Sequence, residues 1–153
     1  MITKTIKYHD FDGDEREDAF YFSLNETQFA KLNGLFPGGL EAYTSKIAKD
    51  KNADEMYRII DTIVTAAYGE RIGNNFVKKA PNGQPLSDFF VNTEAYDNLM
   101  SELLSGDNNL INFLMGCLNK EAHDRAQAEF NKRKAELDKA GGSKVIEGPG
   151  NVK

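Results

Sequence analysis

The sequence predicts an α+β fold that is mainly α. A β-hairpin near the N-terminus packs on a bundle of about five helices, and a charged C-terminal helix and a disordered tail follow. Three observations predict it. Residues 18–24 alternate, with Phe20, Phe22 and Leu24 facing one way and Ala19, Tyr21 and Ser23 the other. Met56, Ile59, Ile60, Ile63, Val64 and Ala67 recur at helical spacing. From Lys120 onward the composition turns to Lys, Glu, Ala, Asp and Arg, which are mostly strong helix formers.

The hairpin's first strand spans residues 2–8, with Ile2, Ile6 and Tyr8 on one side. Asp12-Gly13 supplies the tight turn. A lone hairpin is marginal in water, so its aromatic face must pack on helices. At Asn25 the period changes. Asn25 as N-cap and Gln28 three positions on form a helix start, and Phe29, Leu32 and Phe36 follow until Pro37-Gly38-Gly39. A second helix begins at Leu40 and aligns Leu40, Tyr43 and Ile47. Asn52 and Glu55 read as the capping box of a third helix, and Gly69 as its left-handed terminator.

Residues 70–86 are broken by Gly73, Pro81-Asn82-Gly83 and Pro85, and Phe76-Val77-Lys78-Lys79 reads as a short strand within them. One helical turn is expected over 86–91. A helix from Thr93 to Leu104 gathers Ala95, Tyr96, Leu99, Met100, Leu103 and Leu104. Ser105-Gly106-Asp107 breaks the chain, and Leu110 to Leu118 forms a strongly apolar helix. Over 120–140 the stripe narrows to Ala122, Ala126, Phe130 and Leu137, spaced 4, 4 and 7. So thin a stripe suits a coiled-coil seam or a partner's groove. A solvated, fraying extension is the other reading, and both stay open. The expected divisions are a body over 1–118, a charged extension over 119–140 ended by Gly141-Gly142, and a disordered tail over 141–153.

At 153 residues the chain is long enough for a real core. It carries 19 Lys+Arg against 24 Asp+Glu, a net of −5. That balance argues against a nucleic-acid surface, which needs a basic patch. Residues 120–153 hold 8 Lys+Arg and 6 Asp+Glu, a net of +2, too weak to imply DNA or a membrane. Cys117 is the only cysteine, so no intrachain disulfide forms, which fits a reducing cytosol. Met1 to Lys4 has no apolar signal core, and no apolar run approaches the ~20 residues of a membrane span. A soluble, intracellular protein is expected.

Chemistry is sparse. Asp10, Asp12, Asp14 and Glu15 mimic a calcium loop, but an EF-hand begun at Asp10 meets Glu15 where it wants glycine and Tyr21 where it wants glutamate. His9 and His123 belong to no zinc pattern. Pro37-Gly38-Gly39 is followed by no Gly-Lys-Ser/Thr, so it is no phosphate loop. No cofactor, metal or catalytic constellation is called for. Ten Phe and six Tyr exceed what the helical stripes must bury. Tyr57, Phe76, Phe89 and Phe90 read as surplus aromatics of the kind that marks protein interfaces. With Ala122, Ala126, Phe130 and Leu137 they are the candidate protein-binding residues.

Four runs carry a family resemblance by their order and spacing. They are Phe11-Asp12-Gly13-Asp14-Glu15-Arg16 leading into Phe20-Tyr21-Phe22-Ser23-Leu24, then Gly38-Gly39-Leu40-Glu41, Ala67-Tyr68-Gly69-Glu70, and Thr93-Glu94-Ala95-Tyr96. Over roughly residues 4–118 the chain resembles the small tail assembly chaperones of long-tailed bacteriophages infecting Gram-positive bacteria. The resemblance implies binding to the tape measure protein, recruitment of tail tube protein, self-association, residence in the host cytoplasm and absence from the mature virion. It also implies a longer product made by ribosomal frameshifting. The segment after Leu118 is longer and richer in lysine than the resemblance leads one to expect. The alternative of similar size and composition is a structural virion component, such as a tail-completion or connector protein.

Overall fold

The structure, a computed structural model, describes residues 1–106 and 108–147. The hairpin is present. Strand β1 (Ile2–His9) pairs antiparallel with β2 (Glu15–Phe22), with Ile2 opposite Phe22 and His9 opposite Glu15. Its acidic turn is closed by Asp10, whose Oδ1 accepts the N–H groups of Asp12 and Asp14, each at 3.0 Å. That accounts for an aspartate at the position where a calcium loop would begin.

The hairpin is not alone. Strand β3 (Tyr68–Ile72) pairs with the end of β2, and β4 (Asn75–Val77) pairs with β3, giving one antiparallel sheet in the order β1-β2-β3-β4. Gly69 is therefore no left-handed helix terminator. The preceding helix ends at Ala67, and the residue that caps it, Tyr68, is already extended. Gly69 is glycine for another reason: a Cβ there would lie 2.6 Å from the Phe76 ring and 2.7 Å from the Val77 carbonyl oxygen. Glu70, expected in a loop, sits in β3.

Seven helices surround the sheet among the described residues: α1 (Glu26–Gly34), α2 (Leu40–Asp50), α3 (Ala53–Ala67), α4 (Ser87–Phe90), α5 (Glu94–Leu104), α6 (Asn109–Cys117) and α7 (Lys120–Glu147). The Asn25–Gln28 capping box is complete. The one expected at α3 is half made. Asn52 accepts the Glu55 N–H, but the Glu55 carboxylate turns to Arg58 and to the Tyr43 hydroxyl instead. Those two groups hold its carboxyl down to about 2. Between α1 and α2 the chain turns through Gly38 and Gly39, both at positive φ, and the Asn33 side chain accepts the Leu40 N–H at 2.7 Å.

The core lies where α3, α5 and α6 meet the inner face of the hairpin. Ile59, Ile60, Ile63, Val64, Leu99, Phe22 and Leu24 are fully enclosed. Cys117 is among them, and burial pushes its thiol up to about 12, which keeps it protonated and unreactive. Helix α5 also covers the free edge of β1. Asn98 donates to the Lys7 carbonyl at 2.8 Å, and Glu94 accepts the His9 N–H at 2.9 Å.

Helix α7 is rooted in this body. The Leu24 N–H bonds the Cys117 carbonyl at 2.7 Å, and the Asn119 N–H returns to the Leu24 carbonyl at 3.2 Å. Asn119 then caps α7 through the Ala122 N–H. The helix does not stop at Gly141-Gly142 but continues to Glu147, so the first part of the expected disordered tail is helical. Residues 148–153 lie outside the described residues.

Candidate partner-binding surface

The structure separates the eight residues nominated from sequence. Phe90 is a correction. It is 2% exposed and stacks on Tyr68 with ring centres 4.4 Å apart and planes at 5°. Phe20, Phe22 and Tyr96 pack around the same ring. It is the hub of the aromatic core rather than surplus. Ala122 is a second correction, buried against the body. Phe76 is half-buried and lies over Gly69. Tyr57 and Phe89 are exposed, at 51% and 55%. Leu137 lies further along α7, its side chain outside the described residues.

Ala126 and Phe130 come together with residues not nominated. They form one wall of a groove of about 400 Å³ whose other walls are α1, the Gly38–Gly39 corner, the start of α2, and α6. Phe29, Ile111, Leu114 and Met115 supply its apolar lining. Two ion pairs tie α7 to α1 and α2, the second of them within the groove. Arg125 meets Glu26 at 3.2 Å and Arg133 meets Glu41 at 3.2 Å, and Arg133 also reaches the Gly38 carbonyl at 3.4 Å. The sequence carried one overlooked signal for this surface. Helix α6 is apolar on nearly every side, and a helix packed against a core on one face leaves the remainder, here Ile111 and Met115, for something else.

Tyr57 faces a second, shallower groove between α3 and α5, lined also by Asp54, Asp61, Tyr96, Asp97 and Met100. The Tyr96 hydroxyl donates to Asp61, and burial together with that carboxylate raises its pKa. Phe76 and Phe89 line neither groove. Phe11, at the hairpin turn, is 86% exposed and was not nominated.

Both grooves combine apolar or aromatic side chains with charged ones, Glu41 and Arg133 in the first and Asp54, Arg58 and Asp61 in the second. A family model described as phage tail assembly chaperone matches residues 1–147. The chain belongs to the phage tail assembly chaperones. No curated protein and no solved structure matches it. The matched span passes Leu118 and takes in all of α7, so the charged helix lies within this chaperone family's pattern. Among the described residues, no helix is long and apolar enough to cross a membrane.

Proposed function

We propose that this chaperone serves a long-tailed phage by holding amphipathic helices of the tape measure protein against the apolar surface of the α1–α2 corner and α6 that borders α7. From that complex it recruits tail tube protein, in the host cytoplasm, and it leaves before the virion is complete. The observation that carries the reading is the apolar lining itself: Phe29, Ile111, Leu114 and Met115 along one groove beside α7. An amphipathic helix offers large side chains at i, i+3, i+4 and i+7, which is the pattern such a groove accepts. Met115 adapts its shape to varied side chains.

Magnitude favours reversible binding. Three large apolar side chains entering the groove supply roughly 5–9 kcal/mol gross. Association and ordering remove much of that, which leaves single contacts of about millimolar strength or weaker. Many copies along one long helical client then hold it through multivalency, while each single contact is easily displaced.

The test is co-expression with the tape measure protein of the same phage, followed by pull-down and a solubility assay. The wild-type chain is expected to co-purify and keep the tape measure in solution. Met115→Asp, at a half-buried position, is expected to weaken capture at least tenfold while leaving the far-ultraviolet circular dichroism unchanged. Failure to bind, combined with this chain appearing by mass spectrometry in purified particles, would replace the chaperone mechanism with that of a structural virion component.

A further inference from the structure

We propose that the outer part of α7 is a displaceable strap. It covers the apolar surface of α1, α2 and α6 in the unbound protein, and a client helix takes its place. The inference rests on the tape measure reading above, because it names how that surface becomes available.

Position comes first. Ala126 and Phe130 of α7 line the same groove as Phe29, Ile111, Leu114 and Met115, so α7 lies along the apolar surface of α1 and α6. With α7 in place a client helix reaches only the open side of that groove, and a client that uses the whole surface takes the place of α7.

The attachment of α7 has the corresponding gradient. Its root is fixed by the Asn119–Leu24 backbone bond, the Asn119 cap and buried Ala122. Beyond the root, the apolar contact among the described side chains is that of half-buried Ala126 and Phe130. What remains is the pair of Arg125–Glu26 and Arg133–Glu41 bridges, whose four side chains are between about a third and two-thirds exposed. Exposed bridges of this kind hold weakly. A segment rich in Ala, Lys and Glu also keeps its helical preference when it leaves the surface. The strap is thus fixed at one end, weakly held along its length, and itself an amphipathic helix like the client it stands in for.

The test is a charge swap. Glu41→Arg and Arg133→Glu each turn the outer bridge into a like-charge contact, and the E41R/R133E pair restores it. Hydrogen exchange on the full chain is expected to show amides of residues 126–136 exchanging about fivefold faster in each single variant. The body should be unchanged, and the double variant should return toward wild type. Because apparent affinity scales with the fraction of competent molecules, each single variant should bind a tape measure fragment up to about fivefold more tightly. Ile111→Asp, on the covered surface, should lose binding whether or not the strap is loosened.

Unchanged exchange in the single variants would overturn the strap. So would faster exchange accompanied by equal or weaker binding, since α7 would then be part of the site rather than its cover. Failure of the wild-type chain and every variant to bind the fragment, with exchange responding as expected, would instead remove the tape measure reading.

Discussion

Lys78 donates from one half-buried ammonium to three acceptors, two main-chain carbonyls and a side-chain amide. Its Nζ bonds the Ser23 carbonyl at 2.7 Å, the Ala66 carbonyl at 2.6 Å near the end of α3, and Gln28 Oε1 at 3.2 Å. It thereby ties the chain just after β2, α3 and the capping box of α1 together. Burial pulls its pKa from 10.5 down to about 8. A depressed lysine binds fewer protons folded than unfolded across that interval, so stability rises as pH climbs from about 8 to 10.5, and the cost of burying the charge is fully present at neutral pH. With solvent screening the gain is about 1–2 kcal/mol. The buried Cys117 thiol acts in the opposite direction above pH 9, equally in both proteins, so the check is a difference: by chemical denaturation the wild type should gain this much relative to Lys78→Met between pH 7.5 and pH 10. At pH 7 the same substitution leaves two carbonyls unpaired and should cost about 1–3 kcal/mol. A Lys78→Met variant as stable as wild type at pH 7 would show that the tie carries nothing. Lys78 was legible only as part of a short strand, because its partners lie between 12 and 55 positions away in sequence.

At the scale of elements, the helices and the hairpin were legible, and strand β3 with its pairing to β2 was not. Helix α3 announces itself through an N-cap and an uninterrupted stripe, both local signals. The β2–β3 junction rests on two residue pairs, Tyr21 with Gly69 and Phe22 with Tyr68, brought together by 45 residues of intervening helix and loop. Nothing local at Ala67-Tyr68-Gly69-Glu70 distinguishes a glycine that ends a helix from one that begins a strand. The difference is a contact with Phe76, which only the fold supplies. A Cβ at position 69 meets a ring on one side and backbone on the other, so little can yield. Gly69→Ala is expected to destabilise by about 2–4 kcal/mol, measured by urea denaturation. Gly69→Ala combined with Phe76→Leu should recover part of the loss. A Gly69→Ala variant within 0.5 kcal/mol of wild type, about the scatter of neutral surface changes, would show that the sheet opens freely there.

The candidate site shows the same division at the scale of the whole molecule. Helical spacing places Ala126 and Phe130 on one stripe, and the structure sets both along the groove. Phe90 was misplaced because aromatic surplus carries no information about which ring is buried. The opposite wall of the groove, Phe29 with Ile111 and Met115, is assembled from helices about 80 positions apart in sequence. Helix α7 likewise belongs partly to the body, through Ala122 and the Asn119–Leu24 bond, and partly to the surface. That division makes two truncations unequal. Ending the chain after Asn119 removes the cap's helix and uncovers the core under Ala122, about 1–2 kcal/mol of burial and hydrogen bonding, or roughly 5–10 °C in Tm for a body of this size. Ending it after Gln127 keeps the root and should shift Tm by less than about 3 °C. Circular-dichroism melts would separate the two. Sedimentation of the longer truncation also addresses self-association. If the outer part of α7 bridges neighbouring copies, this form should be more monomeric than the full chain at equal concentration. Association that survives the cut would place the contact on the body, where Phe11 and Tyr57 are the exposed aromatic side chains to test next.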